Sequence, residues 1–376
     1  MKAAGVIVSI RLIGGMVLML FITCHLSNLA LGLVSLDLME AWRPRILAAW
    51  QTYPGLALLY GALASHLVLG LVALAKRRST ASFRTTDLAQ LTLGLLIPAL
   101  LALHVLAMRG TVALGGAHVS YGLALVIYWK LVPFYGLKQV LVVVIAWVHG
   151  CLGLYGWLRL RAWWPSIAGF LYPVAFALPI LALLGFVEAG KQAMARYDGG
   201  DPVWAKAIET AAAKMAQVGA PLDPWENRFL IVYAIALAVV VVGFAVRVVN
   251  QRRQHARVGY VGGPTIAGAR GLSILEISRQ ADIPHASACS GRGRCGTCRV
   301  RVVSGQEQLS PIEAREAKTL QRIGATGAEI RLACQALLIG GRVIVERLVP
   351  AEAEEEAARH PELFDGATAA VAVPAE

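Results

Sequence analysis

Four of the six cysteines lie within one stretch of the 376-residue chain. Cys289, Cys295 and Cys298 fall in C-S-G-R-G-R-C-G-T-C, and Cys334 follows after 35 residues in R-L-A-C-Q. Three thiols on a tight loop and a fourth from a distant element suit a group that needs four thiolates, and a [2Fe–2S] cluster is such a group. Gly291, Gly293 and Gly296 permit the backbone angles and close amide approach that such a loop requires. Arg292, Arg294 and Arg299, with the backbone amides, would balance the cluster's negative charge. Structural zinc is the alternative, but zinc sites favour two short cysteine pairs and one cysteine here stands alone. Cys24 and Cys151 sit inside apolar runs and read as packing residues.

Histidine gives the second pattern. His25, His66, His104 and His149 fall one each in four successive apolar runs. An ionisable side chain at membrane depth is costly and is a functional hypothesis by default. In an up-down-up-down bundle the first and third helices are diagonal, as are the second and fourth. His25 would then face His104, and His66 would face His149, at matching depths. Neutral imidazoles facing each other suit axial ligation of haem iron, so two haem b groups are expected, stacked across the bilayer. Gly14, Gly70, Gly153 and Gly156 fall on the histidine faces and would give a porphyrin room, although such glycines also serve close helix packing. His118, His255 and His360 receive no role, and His285 reads as a loop residue before the cysteines.

The elements that must position these residues follow from composition. Hydrophobic residues make up 57% of the chain and charged residues 15%, which excludes a simple globular enzyme and excludes disorder. Residues 1–250 hold 19 of the 35 Lys and Arg, and the shorter remainder holds 16, so a membrane domain precedes a small soluble one. Six runs can span a bilayer: about 12–34, 53–75, 88–108, 138–158, 167–187 and 229–249. A shorter run at 119–129 reads as a surface helix, and 202–218 as a helix in a loop. Basic residues after the second, fourth and sixth spans (among them Arg77, Arg159, Arg247, Arg252 and Arg253) place both termini and the soluble domain in the cytoplasm, in an inner membrane. The net charge of +12 reads as membrane-surface charge, and no nucleic-acid partner is expected.

The fold class expected is therefore an all-α six-helix transmembrane bundle at 1–250, then a small α+β domain at 257–350, then an acidic, Ala-rich tail at 351–376. In the soluble part a helix at Ser273–Ala281 precedes the cysteine loop. Strand-like runs follow at Cys298–Val303 and Val343–Leu348, with a helix near Pro311–Ile323 between them.

Residues 257–350 resemble a β-grasp ferredoxin. The five residues between the first two cysteines are similar to the hydroxylase-type ferredoxins rather than the plant type, which has four. On A-S-H-L at His66, L-H-V-L at His104, W-V-H-G-C-L-G-L at His149 and P-H-A-S-A-C-S-G-R-G-R-C-G-T-C-R-V-R-V, residues 1–350 resemble the membrane anchor plus ferredoxin segment of certain bacterial class III adenylate cyclases. That anchor is similar to the dihaem cytochrome b anchor of succinate dehydrogenases and fumarate reductases. A cyclase domain follows the ferredoxin in that family. Only 26 residues follow Pro350 here, so no cyclase activity is expected of this chain.

The expected function is transmembrane electron transfer or redox sensing. Electrons would pass between quinol, or a donor on the outer side, the two haems and the cluster, with a cytoplasmic redox or regulatory partner reading the cluster. A quinone-linked oxidoreductase with its own substrate site is a second reading, although no flavin or nicotinamide fingerprint is present. A ferredoxin on a passive anchor is the third.

Overall fold

The computed structural model describes residues 2–79, 81, 83–115, 119–251, 255–325 and 327–364. His118, Arg252 and Arg253 lie outside them. Among the described residues six helices are long and apolar enough to cross a bilayer: Val6–Leu33, Tyr53–Ala75, Thr85–Leu114, Pro133–Leu158, Trp164–Gly200 and Pro224–Asn250. They are numbered here as spans one to six. Their outward faces carry large apolar side chains in the open, such as Phe170, Phe176 and Val239. A surface of that kind needs lipid rather than water, so the first 250 residues have the architecture of a multi-pass membrane protein.

Local chemistry sets the helix ends. Thr52 Oγ1 accepts from Gly55 N at 3.2 Å and Pro54 occupies the first turn, which starts span two. Arg247 of span six donates to the carbonyls of Ala75 and Arg77 at 2.7 and 2.9 Å, satisfying the open end of span two. Spans one and two pack as one pair and three and four as another, with span five against span one.

The run read as a surface helix is not at the surface. Tyr121–Val126 is a buried helix whose Leu123, Leu125 and Val126 pack with Leu26, Met39 and Phe186. A segment that is apolar all round has no face to offer water, so it is driven between the spans. Trp204, from the helix Pro202–Gly219, closes over it at Gly122.

The second region is a five-stranded mixed sheet of β1 (His255–Tyr260), β2 (Thr265–Ala269), β3 (Arg299–Ser304), β4 (Ile330–Leu332) and β5 (Arg342–Arg347). The order is β2-β1-β5-β3-β4, with β1 parallel to β5 and the other pairs antiparallel, which is the expected β-grasp arrangement. The helix Ile274–Gln280 packs its Ile274, Leu275 and Ile277 into the sheet core. Its start is fixed by a capping box in which Ser273 Oγ accepts from Glu276 N at 3.2 Å and Glu276 accepts from Ser273 N at 2.9 Å.

The acidic segment after Pro350 is not a free solvated helix. Glu355–Arg359 is one turn of helix that buries Ala357 and Ala358, and Ala358 packs on Cys289 and Cys295.

Candidate functional site

Cys289, Cys295, Cys298 and Cys334 are buried and free. The loop that carries the first three bends through left-handed backbone at Ser290, Gly291, Gly293 and Gly296. Turns of this kind aim successive amides inward and form a concavity for negative charge. The thiols gather as two pairs. The Cys289 sulfur accepts from the Cys295 thiol and from the amides of Arg294, Cys295 and Arg292. Those contacts outweigh burial and pull its pKa down to about 5. Cys295, as donor to Cys289, is pushed well up, with burial adding to the effect, and so is Cys298, as donor to Cys334. Thr297 Oγ1 lies 3.1 Å from Cys295 Sγ, and Gln335 Nε2 lies 3.4 Å from Cys334 Sγ. Ser290 Oγ is buried beside them with no protein partner.

Two thiols beside two thiols suit a dinuclear centre with a pair on each iron. Among the described residues no three His, Cys, Asp or Glu side chains converge as a single metal ion would require. The donor set therefore fits a [2Fe–2S] cluster better than tetrahedral zinc.

The four span histidines also meet two by two, and across the bundle rather than between its closely packed neighbours. The ring centroids of His25 and His104 are 6.4 Å apart, and those of His66 and His149 are 6.2 Å apart. Depth explains the pairing. His66 precedes Ala75 by nine residues and His149 precedes Leu158 by nine, so they lie level. His25 follows Val6 by 19 residues and His104 follows Thr85 by 19, so they also lie level. At 1.5 Å per residue the pairs are separated by about 15 Å along the bundle, the His66/His149 pair being nearer the soluble domain.

The rings are held by their outer nitrogens. His66 Nδ1 donates to Arg11 O at 3.0 Å, and His149 Nδ1 donates to Gln90 O at 2.8 Å. A carbonyl can only accept, so in the neutral rings the proton sits on Nδ1 and Nε2 keeps its lone pair. Tyr128 OH lies 3.5 Å from His104 Nδ1, and Phe21 stacks on His25 at 5.9 Å.

Several of these residues escape a reading of types and spacing alone. Gly15 and Gly94 are the glycines beside the imidazoles: an added Cβ would lie 3.0 Å from His66 Cε1 and 2.6 Å from His149 Cε1. A signal for them exists, since each precedes a histidine of its own span by ten residues, Gly15 before His25 and Gly94 before His104. The glycines expected to play this part behave differently. Gly14 lies against Ala62 and His66 Cβ, Gly70 faces open space, Gly153 lies against Gln90, and Gly156 lies against Arg292. Tyr128 is invisible because it comes from the short helix between spans. His285, read as an ordinary loop residue, is buried with Nδ1 3.0 Å from Ser278 Oγ, which in turn lies 2.6 Å from Tyr260 OH.

Comparison with known proteins places the cysteine region. A family profile described as a 2Fe-2S iron-sulfur cluster binding domain matches residues 262–338. The chain is 39% identical over 79 residues to 2Fe-2S ferredoxin-5 of Aquifex aeolicus, covering 21% of this chain and 82% of that protein. It is 32% identical over 69 residues to Ferredoxin-1 of the same organism, covering 18% and 72%. Over 84 residues it is 29% identical to the 2Fe-2S ferredoxin of Haemophilus influenzae, covering 22% and 74%. Among solved structures it is similar to the ISC-like [2Fe-2S] ferredoxin of Pseudomonas putida, at 26% identity and a TM-score of 0.23, over 24% of this chain and 90% of that one. With its four buried thiols on a β-grasp domain and its relatives matched over most of their length, the chain belongs through its C-terminal region to the [2Fe-2S] ferredoxin family.

Proposed function

We propose that this protein carries electrons across a membrane between two b-type haems and its ferredoxin cluster. The haems would be held by His25/His104 and His66/His149, and the cluster by Cys289, Cys295, Cys298 and Cys334. The observation that carries the reading is the separation of the imidazoles. Two rings meeting one metal ion from opposite sides, through bonds of about 2.0–2.1 Å and with roughly 1.1 Å from each nitrogen to its ring centre, would have centroids about 6.3 Å apart. The two pairs stand at 6.4 and 6.2 Å. Ring packing alone also gives about 4.5–7 Å, so the support lies in the recurrence of that spacing, histidine on histidine, at two matched depths.

Haem and the [2Fe–2S] cluster supply reversible one-electron carriers when bound. The protein's part is ligation and placement. Arg11 O and Gln90 O fix the rings of His66 and His149 and raise their basicity toward a metal. Gly15 and Gly94 leave those rings room. The amides of the cysteine loop would stabilise the negative charge of a cluster held there. Quinol in the bilayer, or a donor on the far side, would exchange electrons at His25/His104. The His66/His149 pair stands between that site and the cluster, and a cytoplasmic redox or regulatory partner would read the cluster. This arrangement is similar to a dihaem cytochrome b joined to a ferredoxin.

A reduced-minus-oxidised absorbance spectrum of the detergent-purified chain, with haem and iron quantified, tests the proposal. A b-type signal with two haems and two further irons per chain is expected. Iron at that ratio without haem would reduce the spans to an anchor.

A further inference from the structure

Arg292 sits in the cysteine loop between Cys289 and Cys295, and its guanidinium does not stay in the soluble domain. Nη2 donates to Oδ1 of Asp87, 205 residues earlier in the chain. Asp87 lies in the first turn of span three, where its other oxygen accepts from Arg84 N at 3.1 Å, and it is only 7% exposed. Gly156 of span four lies beside the same guanidinium, and an added Cβ there would stand 3.1 Å from Nη1. A carboxylate buried in this way is costly unless its partner is in place.

The surrounding contacts have the opposite polarity. Arg84 and Arg159, at the ends of spans three and four, reach outward to the soluble domain. Arg84 donates to Ser287 O at 3.3 Å and Arg159 donates to Ala288 O at 2.7 Å. Both also pair with Glu355 of the tail helix. Ala358 of that helix and Leu160 close over Cys289 and Cys295. Each of Cys289, Cys295 and Cys298 is 1% exposed, whereas Cys334 is 9% exposed. One acid among bases on the bundle side, met by a base of the cluster loop, favours this register over those that would set like charges together.

We propose that the Asp87–Arg292 pair docks the cysteine loop in one register on the ends of spans three and four, with Glu355 holding the tail across it. The Cys289/Cys295 edge of the cluster is then an intramolecular contact facing the His66/His149 pair and closed to soluble partners. Arg292 and Asp87 are positioning residues for electron exchange within the chain. The exchange rests on the function proposed above; the docking does not.

The test uses the full chain in lipid nanodiscs, with Asp87→Arg, Arg292→Asp and the double exchange. Two quantities are read: amide hydrogen exchange over 287–295 and 355–359, and the rate at which ferricyanide oxidises the reduced cluster. Each single reversal should raise both by at least about tenfold, and the double exchange should recover most of the loss. Asp87→Asn and Glu355→Gln leave the cysteine loop untouched, and they keep the test readable should Arg292→Asp fail to take up iron. Unchanged protection in Asp87→Arg and Asp87→Asn would overturn the docking, as would a double exchange no better than either single. Absence of haem with the exchange pattern as expected would sink the electron route and leave the docking standing.

Discussion

Gly94 has no chemistry of its own, yet it limits what can stand beside His149. The imidazole is tethered by a 2.8 Å hydrogen bond to Gln90 O and cannot retreat far from a new side chain. Gly94→Val should therefore cost the His66/His149 haem and spare the other, and haem content per chain should fall by half. Glu316 and Arg331 make a buried bidentate pair at 3.0 Å in the soluble domain, and Glu316 also accepts from Leu332 N at 2.7 Å. Arg331→Met leaves that carboxylate uncompensated at a cost of about 3–5 kcal/mol. The domain should melt earlier by calorimetry, and Arg331→Met/Glu316→Leu should recover part of the loss. At His285, burial brings the pKa from 6.5 down to about 4. The unfolded chain binds the proton more readily, so this contribution is complete above pH 6.5 and is lost as pH falls toward 4, by roughly 3 kcal/mol in all. Denaturant midpoints against pH should show that slope, and His285→Asn should flatten it.

Elements place these residues through their ends and irregularities more than through their regular turns. Span three passes from α- to π-helix at Leu106–Gly110 just beyond His104, and a second π segment, Ile127–Leu131, carries Tyr128 to that histidine. Wide turns of this kind re-aim a side chain without ending a helix. The cysteine loop depends on its left-handed residues in the same way. Gly296 has φ +82°, and a Cβ there would lie 2.6 Å from Ile323 Cδ1. Gly296→Ala is thus strained in backbone and in space, and it should lower the iron content and the cluster's electron paramagnetic resonance signal while leaving the haem spectrum alone.

Across the whole molecule the histidine pairs lie about 15 Å apart in the bundle and the cysteines lie in the soluble domain, so their losses should separate. His104→Ala should remove one haem and keep the other together with the cluster. Cys295→Ser should lose the cluster and keep both haems. Haem quantification and the resonance signal of the reduced cluster decide between this partition and a collective collapse, which would count against independent histidine pairs. The soluble domain is joined to span six by chain and to spans three and four by Asp87, Arg159 and Glu355. One unit thus rests on the other at the cysteine loop.

Much of this was legible in residue types and spacing. Apolar runs of bilayer length mark helices because lipid leaves the backbone no other way to satisfy its polar groups. The cysteine spacing marks the ferredoxin because a dinuclear cluster needs four thiolates, and three on one loop with a fourth from afar is the arrangement that resembles that family. The pairing of His25 with His104 and of His66 with His149 follows from the alternating direction of successive spans. Contacts made by residues that belong to no motif were not legible. Nothing local distinguishes Asp87 from an ordinary helix-start acid or Glu355 from a solvated tail acid. Tyr121–Val126 reads as a surface helix until spans one and five are seen to enclose it. These roles depend on which surfaces meet, and only the packed chain decides that.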